Sequence, residues 1–582
     1  MAHPPLLTAA VLAGAALFTS LPAEARNKHH HPRSPQPLMC SQLAGDAGGL
    51  VGTAGIKSVT STVVPAAGSN VSYCQVDVLY GTSPQQNINV RVGLPLGPLD
   101  GGAGGVVGAW NGRTQGIGGG GCSGGLDVTA PVNAGYVGSG NDTGHTGGNC
   151  EPGVNPDGTY NLQFINDFIR DGIKQQVLLS KRIAARYYAE APAYNYWNGC
   201  STGGRQGYLL AQELGRELDG ILANAPAIYW TRFQTAQMWG QIMMKDRVGG
   251  PIAPAKLAQA TASAVAACDA KDGVTDGVID EPRACTFSAQ ANVCGMPGAP
   301  AENCLTASEA EAIDLIWDGP RNPDGKRIWF GLDRGTNLAG LNGPSPFFLG
   351  VTQFHWNMHD PMFDWTTVTM DTYADVAQAG SRNIADVTDT FGNLDKFRAS
   401  GGKLLTFVGM NDQLIMPQGV LHYYRQMAQR YGGRHDDDFS GVQKFYRLFR
   451  APGVAHCGGG AGPQPQGLFE ALVDWVEEKK APKTITATVT TDGAVTRTRP
   501  LCLYPKTAIY KGSGSTDDAA NFYCGGNLET REEVCDSVLV KYKHEVDGWL
   551  DYREGGTSLR ECRGKKRGWG GWGGHHWYHG ER

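Results

Sequence analysis

Two short stretches of the sequence, residues 121–125 and 199–203, place a serine in the pattern Gly-x-Ser-x-Gly. This pattern can put a serine hydroxyl on a sharp turn between a strand and a helix, where it can act as a nucleophile. Ser201 has a predicted strand before it and a predicted helix after it, whereas Ser123 follows a run of glycines with neither. We predict Ser201 as a nucleophile, with a purely structural serine as the alternative, and Ser123 as a loop residue.

A nucleophilic serine on such a turn needs an acid and a base, in the chain order Ser, Asp or Glu, His. Asp412 follows a predicted strand at 403–408, and His456 follows another at 444–449. Function concentrates at the carboxyl ends of parallel strands. Although an Asp there can be a turn residue and a single His a core or surface group, order and position together predict Asp412 as the orienting acid and His456 as the base.

Two cysteines flank this predicted site. Cys200 directly precedes Ser201, and Cys457 directly follows His456. A disulfide between them would hold their Cα atoms about 5–6 Å apart and so keep the serine beside the histidine. Two unrelated structural bridges are the alternative. The total of 14 cysteines is even, which fits a disulfide-bonded protein of an oxidising compartment.

The elements that must position these residues alternate between strands and helices. Such alternation predicts an α/β fold with a mainly parallel sheet. The predicted strands are 58–64, 73–79, 88–94, 105–110, 194–197, 220–223, 403–408 and 444–449, and the predicted helices are 161–188, 205–218, 418–431 and 467–478.

Composition excludes some classes of protein. A net charge of -5 argues against a nucleic-acid binder, because no excess of cations is available for the phosphates. The 82 glycines in 582 residues are about twice the usual share of ~7%, and with 41% hydrophobic residues this indicates a loop-rich globular protein.

The N-terminus predicts export. An apolar run at 6–18 precedes Ala23-Glu24-Ala25, a small-residue cleavage site, so residues 1–25 are predicted to be a secretory signal peptide. The run is too short to span a bilayer comfortably. The mature chain is therefore expected to be secreted or periplasmic and not held in the membrane.

Taken together, these residues resemble the tannase/feruloyl esterase family of α/β-hydrolases, over approximately residues 40–524. The family's Cys-Ser, Asp and His-Cys arrangement matches Cys200-Ser201, Asp412 and His456-Cys457. Supporting stretches are DTGHT at 142–146, GGKLLTFVGMNDQLI at 401–415, APGVAHCGGG at 451–460 and RPLCLYPKTAIYKGSG at 499–514.

The resemblance implies an α/β-hydrolase core with an inserted lid domain. The core would comprise 26–229 and 394–524, the lid 230–393, and a C-terminal extension 525–582. Ser201 would be the nucleophile, His456 the base and then the acid, and Asp412 the orienting carboxylate. The oxyanion donors would be the backbone N–H groups of Thr202 and Gly112, although Arg113 follows Gly112 where the family often has a second glycine.

An acidic turn, DAKDGVTDGV at 269–278, carries three carboxylates between glycines. Oxygen ligands at this density suit Ca²⁺, but Asp-Gly pairs also make ordinary turns, so the residues alone favour neither interpretation. The resemblance implies a structural Ca²⁺ held by the side chains of Asp269, Asp272 and Asp276 and the carbonyls of Val274 and Val278.

The resemblance also implies pairings for the remaining cysteines. These are Cys40 with Cys74, Cys268 with Cys285, Cys294 with Cys304, and Cys502 with Cys524, which leaves Cys122 for Cys150 and Cys535 for Cys562.

Esters of aromatic acids are the substrates that the resemblance implies, with galloyl and feruloyl or other hydroxycinnamoyl groups left open. The lid is rich in rings, of which most are expected in the core and two or three in a pocket: Trp329, Phe330, Phe347, Phe348, Phe354, Trp356, Phe363 and Trp365. The resemblance implies that a terephthalate monoester hydrolase would hold the free carboxylate of its substrate with a lid arginine in about the region 339–380. No Arg or Lys occurs between Ala339 and Gly380, which argues against that specificity.

Another class of function is a non-catalytic protein that binds polyphenols or plant-wall material. The C-terminal run GWGGWGGHHWYHGER at 568–582 could stack on rings through Trp and Tyr or hold a transition metal through His. A solubilising end is the other interpretation. No specific signature favours a peptidase or a lipase.

Overall fold

A nine-stranded sheet runs through the molecule, for which a computed structural model describes residues 36–45, 49–102, 109–389, 392–432 and 438–526. Its strands are β1 (Ile56–Val64), β2 (Tyr73–Tyr80), β3 (Ile88–Pro95), β4 (Arg113–Ile117), β5 (Val137–Asn141), β6 (Tyr194–Cys200), β7 (Gly220–Asn224), β8 (Lys403–Gly409) and β9 (Tyr446–Ala451). They lie in the order β1-β2-β3-β5-β4-β6-β7-β8-β9. The first three neighbouring pairs are antiparallel and the other five are parallel. The predicted α/β class is confirmed.

Side chains of the parallel strands alternate between two apolar cores, as the two-residue repeat of a strand requires. In β6, Tyr196 joins one core and Trp197 the other, and in β8 Leu405 and Leu404 divide in the same way. Both faces of these strands are therefore covered, which explains their apolar composition.

Helices cover both faces of the sheet. They are α1 (Thr129–Asn133), α2 (Leu162–Asn166), α3 (Gly172–Tyr188), α4 (Thr202–Glu213), α5 (Trp230–Ala236), α6 (Trp239–Val248), α7 (Pro254–Cys268), α8 (Ala307–Asp318), α9 (Phe348–Met358), α10 (Tyr373–Asn383), α11 (Ala385–Thr388), α12 (Asp395–Ala399), α13 (Pro417–Tyr431) and α14 (Leu468–Glu477). Short 3₁₀ turns lie at Cys40–Gln42, Pro98–Asp100, Glu151–Gly153, Asp269–Asp272, Pro282–Ala284, Ala289–Asn292, Leu338–Gly340, Trp365–Thr367, Val442–Lys444 and Ala519–Asn521. Helices α3, α4 and α13 contribute to the core of Trp197, and α14 contributes to the core of Tyr196.

The chain between β7 and β8 is helical and adds no strand to the nine-stranded sheet. Its helix starts follow local chemistry: α7 begins with Pro254, and α8 begins with a capping box of Thr306 and Glu309. This segment contains the predicted lid, 230–393, whose boundaries stay a prediction.

The remaining strands form two small sheets. One contains β10 (Gln464–Pro465), β11 (Thr484–Thr491) and β12 (Ala494–Cys502), and in the other β13 (Thr507–Tyr510) pairs with β14 (Phe522–Gly525). None of the helices described combines the length and the apolar composition that a membrane span requires. The predicted signal peptide, Cys535, Cys562 and the run at 568–582 lie outside the described residues.

Several elements differ from the prediction. The predicted strand at 105–110 falls largely outside the described residues, and its last two residues have no regular structure. The strand that precedes the glycine run is instead β4, which was not predicted, and neither was β5. The single long helix predicted at 161–188 is α2 and α3, joined by a π-helical turn, Asp167–Asp171.

Candidate active site

Ser201 occupies a sharp turn between β6 and α4. Its φ of 63° and ψ of -124° lie in a region that residues other than glycine seldom adopt. This backbone conformation turns the serine outward from the end of the strand. The turn is possible because its neighbours have no side chains: a Cβ on Gly199 would lie 2.5 Å from the backbone of Gly203. The local geometry is that of a nucleophile elbow.

His456 and Asp412 complete a hydrogen-bonded chain with Ser201. The Ser201 Oγ lies 2.9 Å from His456 Nε2, and His456 Nδ1 lies 2.8 Å from Asp412 Oδ2. Because a carboxylate only accepts, the proton of the neutral ring belongs on Nδ1, and Nε2 is left to accept from the serine hydroxyl. The structure thus brings together three residues that are far apart in sequence, in the arrangement that nucleophilic serine chemistry uses.

The Asp412 carboxylate is fixed by the loop that follows β8. Its side chain is only 2% exposed, and its second oxygen, Oδ1, accepts the N–H groups of Leu414 (2.9 Å) and Ile415 (2.8 Å). These bonds compensate for the burial of the charge and leave Oδ2 directed at the histidine. His456 is held as well, because its backbone N–H donates to Gln413 Oε1 (3.1 Å).

A disulfide joins the residues beside the serine and the histidine. Cys200 pairs with Cys457, with the Cα atoms 6.0 Å apart, so the tether considered from sequence is present. Among the described residues the other pairs are those that the resemblance implies or leaves: Cys40–Cys74, Cys122–Cys150, Cys268–Cys285, Cys294–Cys304 and Cys502–Cys524.

The two predicted oxyanion donors have different outcomes. Thr202 is the first residue of α4, where a backbone N–H has no acceptor within the helix, and it directly follows Ser201. Gly112 precedes β4, and its carbonyl accepts the N–H of Ala193 (2.8 Å) at the start of β6. Ser201 follows the other end of β6, so Gly112 lies at the wrong edge of the sheet and its prediction as an oxyanion donor is wrong.

The loop at the correct edge is the glycine run after β4. Gly120 and Ser123 pair across a tight turn, with Gly121 at φ 59° between them. The hydroxyl of Thr202 donates to the Gly121 carbonyl (2.5 Å), which brings this turn against the elbow. Among the N–H groups of residues 118–123, that of Gly121 has no acceptor within the part of the chain that the structure describes. The sequence signal that was missed is the position of the glycine run at 118–121, which directly follows the polar strand β4.

The acidic turn folds around its own carboxylates. Asp269 accepts the N–H groups of Asp276 (3.1 Å) and Gly277 (2.9 Å), and Asp272 accepts that of Val274 (2.9 Å). Asp276 Oδ2 pairs with Arg499 of β12 (2.5 Å), whereas its buried Oδ1 has no partner among the described residues. Burial raises the pKa of Asp272, and the nearby charges of Asp276 and Asp269 raise it further.

This donor set fits a cation only if backbone oxygens contribute. Within the described ranges, no group of three His, Cys, Asp or Glu side chains is arranged to hold a metal by itself. The implied set takes two of its five oxygens from the carbonyls of Val274 and Val278. A bound hard cation would give the unpartnered Asp276 Oδ1 a partner and would offset the repulsion between Asp272 and its neighbouring carboxylates.

Four of the eight lid rings are buried core residues. Trp329, Phe330, Phe354 and Trp356 are at most 4% exposed, whereas Phe348 is 50% exposed. The other three rings are partly buried: Phe347, Phe363 and Trp365.

Comparison with known proteins agrees with this architecture. Residues 106–525 match the family model described as "Tannase and feruloyl esterase". A probable feruloyl esterase of Arthroderma benhamiae is 34% identical over 489 residues, 78% of this chain and 86% of that relative. Two solved structures share the fold: feruloyl esterase B from Aspergillus oryzae (TM-score 0.70, 24% identity, 84% of this chain and 99% of that one) and tannin acyl hydrolase from Aspergillus niger (TM-score 0.73, 23% identity, 87% and 98%). The protein is therefore a member of the tannase and feruloyl esterase family of carboxylic ester hydrolases.

Proposed function

We propose that the protein hydrolyses esters of phenolic aromatic acids, galloyl or hydroxycinnamoyl, through Ser201, His456 and Asp412. The observation that carries this proposal is the unbroken chain from Asp412 Oδ2 through the His456 ring to Ser201 Oγ on a nucleophile elbow. The family and the names of its relatives support the class of ester.

In the proposed reaction, Ser201 Oγ attacks the ester carbonyl carbon while its proton passes to His456 Nε2. Asp412 stabilises the resulting imidazolium through Nδ1. The N–H groups of Thr202 and Gly121 receive the negative charge that develops on the carbonyl oxygen. Collapse breaks the ester C–O bond, and His456 returns the proton to the departing alcohol. Water then repeats the sequence on the acyl-enzyme, releasing the aromatic acid and regenerating Ser201.

A neutral ring in the acyl group fits this chain better than an anionic one. No Arg or Lys lies between Ala339 and Gly380 to pair with a free carboxylate on the ring. A terephthalate monoester is therefore a poorer substrate in this proposal than a gallate or a ferulate.

Initial rates on methyl gallate, methyl ferulate and chlorogenate test the proposal, with Ser201→Ala as the blank. We expect turnover of at least one of these esters and none above background in the variant. A folded wild-type protein that hydrolyses none of the three, or a Ser201→Ala variant with wild-type rates, would contradict it. Ring-ligand binding without turnover would instead support the polyphenol-binding alternative.

The acidic turn is proposed to bind a structural Ca²⁺ through Asp269, Asp272, Asp276 and the carbonyls of Val274 and Val278. The unpartnered Asp276 Oδ1 and the crowding of carboxylates support this assignment. Calcium titration by calorimetry should show one site, which Asp272→Asn weakens, and EGTA should lower the melting temperature. No heat of binding and no effect of EGTA would favour an ordinary turn.

Export is also proposed, on the basis of the leader predicted at 1–25 and the disulfides. Mass spectrometry of the protein from its host should find a mature chain that begins at Arg26. Retention of residues 1–25 in the cell would contradict this.

A further inference from the structure

The turn that carries His145 belongs to the same edge of the sheet as the elbow. It follows β5, and β5, β4 and β6 are neighbouring parallel strands, so their carboxyl ends lie side by side. The elbow follows β6, the glycine turn follows β4, and residues 142–146 follow β5. His145 is thus placed beside the glycine turn, although no step of the proposed reaction uses it.

The imidazole of His145 is directed at the glycine turn. Its Nε2 contacts the carbonyl oxygen of Cys122, and since a carbonyl can only accept, Nε2 must carry a proton. The opposite nitrogen, Nδ1, lies 3.2 Å from both the carbonyl and the hydroxyl of Thr143, and the ring packs on Phe164 with centroids 4.5 Å apart. The Thr143 hydroxyl donates to the Asp142 carbonyl (2.6 Å), so the ring is held by its bond to Cys122 and by its packing on Phe164.

Two peptide units connect this contact to Gly121. The Cys122 carbonyl and the Ser123 N–H belong to one trans peptide, and that N–H donates to the Gly120 carbonyl (3.0 Å). The Gly120 carbonyl and the Gly121 N–H belong to the next peptide unit. In a trans peptide the C=O and N–H point in opposite directions. Fixing the Cys122 oxygen consequently fixes the Ser123 N–H, then the Gly120 oxygen, and finally the direction of the Gly121 N–H.

We propose that His145 is a positioning residue for oxyanion stabilisation, which orients and polarises the Gly121 N–H through this chain of hydrogen bonds. The inference rests on the proposed function in assigning Gly121 as the second donor. Hydrogen bonds in series polarise one another, so the effect of His145 reaches a group that it does not touch. The Gly120 carbonyl accepts a second bond, from the Ser123 hydroxyl (2.9 Å), which reinforces its orientation.

Three substitutions at one position test this role. Gln can place an amide N–H near the position of His145 Nε2, Met has similar length but no donor, and Asn is too short to reach Cys122. With p-nitrophenyl acetate, we expect His145→Met and His145→Asn to lower kcat by about 10- to 100-fold, less than the about 10²–10³ for loss of a whole donor. KM should stay within about threefold in all three variants, because the contacts to the bound substrate in its ground state are retained. His145→Gln should keep kcat within about threefold of wild type, because its amide retains an N–H donor.

A second readout separates positioning from folding. Phenylboronic acid forms a tetrahedral adduct on a serine, with an oxygen where the oxyanion would lie, so its affinity should fall in parallel with kcat in His145→Met. Melting temperatures show which variants are folded, and if Met fails to fold, the comparison of Asn with Gln remains. Wild-type kcat and boronate affinity in the folded Met or Asn variant would overturn the inference, as would equal losses in the Gln and Met variants. A wild type that cleaves p-nitrophenyl acetate but no phenolic ester would overturn only the proposed substrate class.

Discussion

Residues 121–125 and 199–203 have the same five-letter pattern and opposite fates. In the second, β6 and α4 force Ser201 to φ 63° and turn its hydroxyl towards His456. In the first, a tight turn directs the Ser123 hydroxyl back to the Gly120 carbonyl. The two stretches nevertheless touch, because the Thr202 hydroxyl donates to the Gly121 carbonyl (2.5 Å). The comparison teaches that flanking elements, and not the pattern, decide which turn presents an oxygen and which presents an N–H.

The largest effect should separate the two serines. Ser201→Ala removes the attacking atom and should lower kcat by at least about 10⁴-fold. Ser123→Ala removes the hydroxyl bond to the Gly120 carbonyl but keeps the backbone bond from the Ser123 N–H, so kcat should fall by no more than about tenfold. Steady-state rates on methyl ferulate or methyl gallate give the answer. Similar losses in both variants would show that the two turns are not functionally distinct.

The second-largest effect on activity is expected where the glycine run after β4 contacts the elbow. A Cβ on Gly118 would lie 2.3 Å from the Cα of Gly203, with backbone on both sides, whereas a Cβ on Gly120 would meet nothing within 4 Å. Gly118→Ala should therefore push the loop from the elbow and lower kcat/KM by about 10²-fold, the cost of a misplacement of about 1 Å. Gly120→Ala is the matched control and should stay within about threefold. An active Gly118→Ala enzyme would mean that the two turns need not be in contact.

The disulfides offer a smaller contrast. Replacing both Cys200 and Cys457 by Ala removes the covalent link between the serine and histidine loops, and we expect kcat to fall by about tenfold as their mutual geometry loosens. The pair Cys294 and Cys304 is the control, because it closes a loop of the helical segment, and its removal should lower only the melting temperature. Equal effects on kcat from the two double variants would contradict a catalytic role for the tether.

The strands that lead into the two turns differ in how well the sequence predicts them. Strands β6, β8 and β9 each place apolar side chains on both faces of the sheet, so they are visible as short runs rich in apolar residues, and the residues at their ends could be predicted. The loops that bear Asp412 and His456 follow directly. Here the sequence predicted both the elements and the residues that they bring together.

Strands β4 and β5 could not be predicted because they are buried without being apolar. Thr114 in β4 bonds to Asn195 (3.0 Å), and Asn141 in β5 bonds to Gln176 (2.6 Å), so polar side chains satisfy one another inside the sheet. Such pairs depend on neighbours that are distant in sequence, and no hydrophobic period marks them. The resemblance implied Gly112 as an oxyanion donor, and because β4 was not recognised, the sequence did not reveal that Gly112 precedes a strand and lies at the opposite edge of the sheet.

The smallest predicted effect concerns the residue that supports the turn after β5, which carries His145. Asp167 lies in the π-helical turn beneath residues 142–145, where it accepts from Gln86 (2.6 Å) and Gln163 (2.9 Å). Burial, followed by the charges of Asp171 and Asp142, raises the pKa of Asp167 to about 6 in spite of these bonds. Its pKa in the unfolded chain is about 3.9. Folding therefore disfavours the ionised form, and this group makes the protein less stable as pH rises from about 4 to about 6.

Asp167→Asn removes that dependence while keeping a side chain of the same size. The melting temperature of the variant minus that of the wild type should therefore increase by about 1–3 °C between pH 4.5 and pH 7, measured by calorimetry in matched buffers. Asp157→Asn is the control, because a hydrogen bond from Thr159 lowers the pKa of the exposed Asp157. Its carboxylate is therefore ionised in both the folded and the unfolded chain over this pH range, and the difference in melting temperature should stay nearly constant. A flat difference for Asp167→Asn would mean that the carboxylate is solvated in solution. The turn after β5 would then be supported by uncharged groups alone and not by a buried carboxyl group, just as the elbow depends on the uncharged backbone of its glycines.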